Sequence, residues 1–271
     1  MEIWYTSNIV PKMLEVFLDK NGSITYAGCI THLYIFITLG TAECFILAVM
    51  AYDHYLAICN PLHYPTLMNN KVCRQLAVCS WVAAVIINIP APVSICRLPF
   101  CGPNEINHFF CDVPPLLQLS CLNPHEAKLS IFMVATSVIV TSFFLILVSY
   151  IFIIITVLKI PSASWLQKAF STCGSHLAVV TIFYGTLKFM YVRPTSDFSV
   201  DSVNFNKVIS MFYTVITPML NPIIYCSRNK EVKDALQKAI GMKCMLAEQS
   251  SSIKMGTELE MQIKFACMEQ S

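Results

Sequence analysis

The chain alternates long apolar runs with short polar breaks. The first long run extends from Ile24 to Met50, and roughly 20 predominantly apolar residues let a helix cross a bilayer. The pattern predicts complete spans over about 24–52, 76–95, 128–158, 170–192 and 203–226. Residues 2–18 are also apolar, but they are too few to span, and Pro11 would kink a helix there. The second span carries Trp81 and the helix-bending Pro90 and Pro92, and a loop from Cys96 to Ala127 follows it. After the last span, residues 228–240 put Val232, Ala235, Leu236 and Ala239 on one face and basic residues on the other. That arrangement suits a helix lying in the membrane interface. Residues 241–271 are polar and aperiodic and read as a disordered cytoplasmic tail. The transmembrane bundle is therefore expected within residues 1–240.

Composition sharpens this picture. Of 271 residues, 56% are hydrophobic and only 13% charged, with a mean hydropathy of +0.61. Soluble domains carry about 25% charged residues, so the chain belongs in a lipid bilayer. A net charge of +2 with no Lys/Arg run gives no footing for nucleic acid. The basic residues of short connections fall on alternate loops: Lys71 and Arg74, then Lys159 and Lys168, then Arg228, Lys230, Lys233 and Lys238. By the positive-inside rule these loops are cytoplasmic. The Cys96–Ala127 loop then faces outward, where Cys29, Cys96, Cys101, Cys111 and Cys121 are disulfide candidates. Asn21-Gly22-Ser23 is a glycosylation sequon on the same side.

Candidate chemistry is sparse. Asp53 and His54 stand between Tyr52 and Tyr55 where the first complete span leaves the lipid, and Asn60-Pro61 ends that helix. Such an ionisable pair is a switch, a docking element or an interfacial anchor. Glu43 lies in mid-span, where a charge is costly and usually functional. A transporter could run past Glu43, His32 and Lys188, but no internal repeat supports one. His108-x-x-Cys111-Asp112 could be read as a soft-metal site, ranked below a structural role for Cys111. No nucleophile–base pair, zinc-ligand spacing or phosphate loop is present, so the chain reads as a non-enzyme. His176 has no sequence neighbour that would make it a ligand.

Four motifs carry a family resemblance. MAYDHYLAICNPLHY (Met50–Tyr64), KAFSTCGSHL (Lys168–Leu177), FYGTLKFMYVRP (Phe183–Pro194) and PMLNPIIYCSRNKEV (Pro218–Val232) occur in this order. They resemble the olfactory receptors, a branch of the rhodopsin-like, seven-helix G-protein-coupled receptors. The loop Leu98–Cys121 is similar to that family's second extracellular loop. The resemblance implies an all-α membrane bundle in which the first helix and half of the second precede Met1. It implies an odorant receptor at the plasma membrane that signals through a heterotrimeric stimulatory G protein. The alternative is a truncated, non-signalling product retained in the endoplasmic reticulum, because missing neighbours weaken helix packing.

Residue roles follow from the same resemblance. Cys29 pairs with Cys111, and Cys101 with Cys121. Asp53, His54 and Tyr55 occupy the Asp-Arg-Tyr element, with histidine where the family has arginine, which bears on coupling. Lys168 and Arg228 join them at the G-protein face. Asn221, Pro222 and Tyr225 form the hinge of the last helix, and Tyr150 is the active-state partner of Tyr225. Glu2, Glu43 and Asn221 surround a sodium site; its alternative is a protonated Glu43 bonded to a neighbouring helix. No other cofactor is implied. Ile37, Gly40, Thr41 and Cys44, with Tyr184, Leu187, Lys188 and Tyr191 and with Met211 and Thr214, line a mainly apolar pocket for a small volatile molecule. Lys188 either pairs with a ligand oxygen or snorkels to the outer surface.

Overall fold

The computed structural model describes residues 2–18, 22–101, 105–106, 108–159, 163–191, 214–215, 217–226, 232, 235 and 238. The side chains of Glu2, of residues 163–172 and 188–191, and of Tyr225 and Cys226 lie outside that description. In chain order the helices are α1 (Glu2–Leu18), α2 (Tyr26–Cys59), α3 (Tyr64–Leu67), α4 (Asn70–Ile87), α5 (Pro90–Cys96), α6 (Val113–Gln118), α7 (His125–Leu158), α8 (Ala163–Tyr191) and α9 (Thr217–Cys226). One isolated antiparallel bridge, Phe100 to Ser120, stands apart from them. The chain through Pro222 forms one compact unit and a second begins at Ile223.

Polar caps fix the starts of α2 and α4, and several helices run past their apolar stretches. Thr25 Oγ1 accepts from Gly28 N at 3.1 Å and starts α2. A Cβ on Gly28 would lie 2.9 Å from that oxygen, so the glycine leaves room for the cap. At its other end α2 runs to Cys59, where Asn60 N still donates to Leu56 O before Pro61 stops the ladder. Asn69 Oδ1 accepts from Lys71 N and Val72 N, both at 3.0 Å. That cap starts α4 at Asn70, ahead of the apolar run, and leaves Lys71 and Arg74 exposed. Helix α8 is described from Ala163, with Cys173–Leu187 as its apolar part. Of the fifth expected span, residues 203–213 and 216 lie outside the described residues, as does the 241–271 tail. Val232, Ala235 and Lys238 are helical and exposed.

Among the described residues, three segments are long and apolar enough to cross a membrane: Tyr26–Cys59, Asn70–Cys96 and His125–Leu158. Helix α2 is the axis, packing most extensively on α7 and α4 and also touching α1, α3, α5 and α8. The outer faces of α4 and α7 are apolar and uncovered; Val78 and Ile86 are each 59% exposed, and Phe144 61%. In water such a surface would drive association. Against lipid tails it costs nothing, because they are as apolar as the side chains. The fold belongs to a membrane.

The second span is not one helix. Pro90 has no amide hydrogen, so the ladder switches before it: Ile89 N donates to Ile86 O, and Ala91 N to Asn88 O. The break falls at Asn88 and Ile89. It turns the Asn88 side chain inward, where it is 6% exposed.

Candidate functional site

A cavity of about 70 Å³ opens between α2, the α4–α5 break and α7. Phe36, Ile37, Gly40, Thr41 and Cys44 line it from α2, and Leu187 from α8. Ile131, Val134, Ala135, Val138 and Ile139 line it from α7, with Asn88, Ala91 and Val113 completing the wall. Apart from Thr41, Cys44 and Asn88, every lining side chain is apolar or absent. Among the described residues no charged side chain lines it. Asn88 Nδ2 donates to Thr41 Oγ1 at 2.9 Å and to Ala84 O at 2.8 Å.

A lid lies over the outer end. Cys29 and Cys111 form a disulfide with Cα atoms 5.5 Å apart, and both sulfur-bearing residues are buried in a cluster with Leu33, Ile95, Val113 and Leu116. A second disulfide joins Cys101 to Cys121, whose Cα atoms are 5.6 Å apart. Asp112 Oδ1 accepts from Val113 N at 2.7 Å and starts α6. Burial pushes the Asp112 carboxyl above its usual range. Phe110 reaches down from the lid onto Phe36, with ring centroids 5.3 Å apart.

Beneath the cavity, buried polar contacts link the helices in steps. Tyr184 O–H donates to Ser142 Oγ at 2.7 Å, joining α8 to α7. Asn221 Nδ2 donates to Glu43 Oε1 at 3.1 Å, joining α9 to α2. One turn further along α2, His176 Nε2 lies 3.1 Å from Leu47 O. A carbonyl only accepts, so this nitrogen carries the hydrogen and Nδ1 is left to accept from Tyr150 O–H at 2.8 Å. His176 has no exposed surface and ties α8 to both α2 and α7. The His54 ring meets it edge-on, with centroids 5.2 Å apart. His54 Nδ1 is buried with no hydrogen-bond partner among the described residues. At the helix mouth Tyr64 O–H donates to Asp53 Oδ1 at 2.9 Å, and Tyr55 packs 5.8 Å from Phe152.

The Olfactory receptor family model matches residues 1–243. The chain belongs to the olfactory receptor family. Human olfactory receptor 11L1 is 48% identical over 254 residues, covering 94% of this chain and 78% of that protein. Mouse olfactory receptor 6B9 is 51% identical over 240 residues, covering 89% of this chain and 75% of that protein. Human olfactory receptor 6B3 is 48% identical over 264 residues, covering 97% and 78%. This membership makes the chain an odorant-sensing G-protein-coupled receptor and a multi-pass plasma membrane protein, not an enzyme.

Of the expected pocket residues, the receptor brings Ile37, Gly40, Thr41, Cys44 and Leu187 to the cavity wall. Tyr184 is not on that wall, because its hydroxyl is spent on Ser142. Thr214 is fully buried and also absent from the wall. Met211 and the side chains of Lys188 and Tyr191 lie outside the described residues, as do Asn21, Arg228 and the side chains of Glu2, Lys168 and Tyr225. Pro222 sits within α9. The Asn88–Thr41 pair and the α7 face have no sequence signal, since α7 is apolar on all sides. His176 has neighbours in space that the chain order conceals.

Of the three residues expected around a sodium ion, Glu43 and Asn221 are joined by the 3.1 Å hydrogen bond from Nδ2 to Oε1, and the Glu2 side chain lies outside the described residues.

The Asp53 contact can be read by titration. Its hydrogen bond holds the Tyr64 phenol above the ordinary value of 10.0. A group raised in the folded state adds stability that is complete below its unfolded value and is lost as pH rises through the folded one. Phenolate absorbance of the receptor should show a tyrosine titrating late, and Asp53→Asn should remove that delay. A curve unchanged by the substitution would refute the pairing.

Proposed function

We propose that the receptor binds a small odorant in the cavity beneath the lid and signals through a stimulatory G protein at the Asp53 end of α2. The observation that carries this reading is the stacking of one cavity and three interhelical hydrogen-bond steps along the same helices. A ligand wedged between α2 and α7 shifts one against the other. Tyr184–Ser142, Asn221–Glu43 and His176–Leu47 then have to lengthen or exchange partners, because packed interfaces move between discrete arrangements. His54 and Asp53 are at the end of α2 expected to meet the G protein, and by the family resemblance Lys168 and Arg228 would act with them. The ligand needs differential affinity for the two arrangements to shift their populations.

The test is surface labelling of cells expressing the receptor, followed by cyclic AMP responses to an odorant panel. Surface display with odorant-dependent cyclic AMP is expected, and Tyr184→Phe should shift the dose–response curve while leaving surface level within about twofold, since one neutral hydrogen bond is worth ~1 kcal/mol. Internal retention would favour the non-signalling product. Surface display with cyclic AMP unmoved by every odorant would remove the stimulatory coupling.

A further inference from the structure

We infer that the cavity selects molecules carrying a hydroxyl group, through the Asn88–Thr41 pair; the inference rests on the cavity being the odorant site. The amide orientation of Asn88 is dictated by its surroundings. Ala84 O can only accept, so the atom 2.8 Å from it must be Nδ2. The second amide hydrogen goes to Thr41 Oγ1 at 2.9 Å. Both hydrogens are committed, and Oδ1 makes no hydrogen bond among the described residues. Thr41 uses its oxygen as an acceptor and gives its own hydrogen to no acceptor there.

The cavity therefore presents one acceptor and one donor on neighbouring side chains, within otherwise apolar walls. Asn88 is 6% exposed and Thr41 9%, so bulk water does not compete freely for either. A hydroxyl complements both: its hydrogen goes to Asn88 Oδ1, and its oxygen accepts from Thr41. A carbonyl or ether oxygen answers Thr41 but leaves Oδ1 facing a desolvated apolar group. A hydrocarbon answers neither. A carboxylate would bring a charge to a wall whose described residues offer no cation, and it has no hydrogen to give Asn88 Oδ1. Sites built to hydrogen-bond a hydroxyl discriminate strongly against analogues that lack it, because the site's own polar atoms are stranded. The cavity is about half the ~150 Å³ that admits benzene, so the favoured ligands are small.

The test uses four probes of equal heavy-atom count: butan-1-ol, butanal, methyl propyl ether and pentane. Each is titrated against the 271-residue receptor chain in two assays, thermal unfolding in lipid nanodiscs and cyclic AMP in cells. Butan-1-ol should be more potent than butanal and the ether by about tenfold or more, with pentane weakest. Thr41→Val should flatten that ranking while sparing pentane, and Thr41→Ser should keep it. Equal potency of butan-1-ol, butanal and the ether on the unmodified receptor overturns the hydroxyl inference and leaves the odorant cavity standing. If none of the four moves either readout, the cavity is not the odorant site and both readings fall. The unmodified panel is decisive even where a variant does not fold.

Discussion

Replacing both Cys29 and Cys111 with serine should lower the receptor's stability by about 2–4 kcal/mol, as read by thermal unfolding in nanodiscs. The bridge joins residues 82 apart in sequence, against 20 for Cys101–Cys121. Chain entropy alone would assign roughly 4.5 kcal/mol to the longer loop and roughly 3.3 to the shorter. The longer figure is an upper bound in a bilayer. Its loop contains α4 and α5, whose insertion already limits the unfolded chain. Buried serine hydroxyls add a desolvation cost, since Cys29 and Cys111 are each 3% exposed. The two bridges should also differ in kind. Only Cys29–Cys111 ties the lid to α2, so its loss should weaken odorant binding as well as stability, whereas the Cys101/Cys121 double serine variant should affect stability alone. Unfolding temperatures indistinguishable from the unmodified receptor would remove the first bridge from the account.

His176→Leu should cost about 1–3 kcal/mol by the same assay. Leucine nearly fills the imidazole volume, so the loss is mainly polar. Tyr150 O–H loses its 2.8 Å bond to the imidazole, while Leu47 O keeps its helical partner. Interhelical hydrogen bonds in membranes average only ~0.6 kcal/mol, but His176 is wholly buried and joins α8 to two helices at once. Tyr150→Phe should cost less, because His176 keeps its bond to Leu47 O. The double variant should then be less destabilised than the two singles added together, since both singles remove the same hydrogen bond. Strict additivity would mean that the two side chains do not act on one another.

Much of the bundle can be read from hydrophobic runs, because a bilayer demands length and apolarity and α2, α4 and α7 supply both. The cap at Asn69 explains why α4 starts ahead of its run: a polar side chain can extend a helix into a segment that hydropathy assigns to a loop. The stripe Ile37, Gly40, Thr41 and Cys44 is visible as helical spacing along α2. The opposing wall is not, because a helix apolar all round carries no phase to say which side faces inward. Spacing also leaves the outward cysteines unpaired; only the family resemblance joins Cys29 to Cys111. His176 is the clearest case of what a linear reading omits. Its contact on α2 is 129 residues away, and nothing local marks it.

The break before Pro90 has a consequence for how such a receptor can change over generations. Asn88 ends one helix segment through its bond to Ala84 O and furnishes the acceptor in the cavity wall. A substitution there alters odour preference and folding yield together. Thr41, in the middle of the unbroken α2, carries no such double duty. Drift in chemical preference should therefore accumulate first at Thr41 and its α7 neighbours, with Asn88 held back by the helix end it secures.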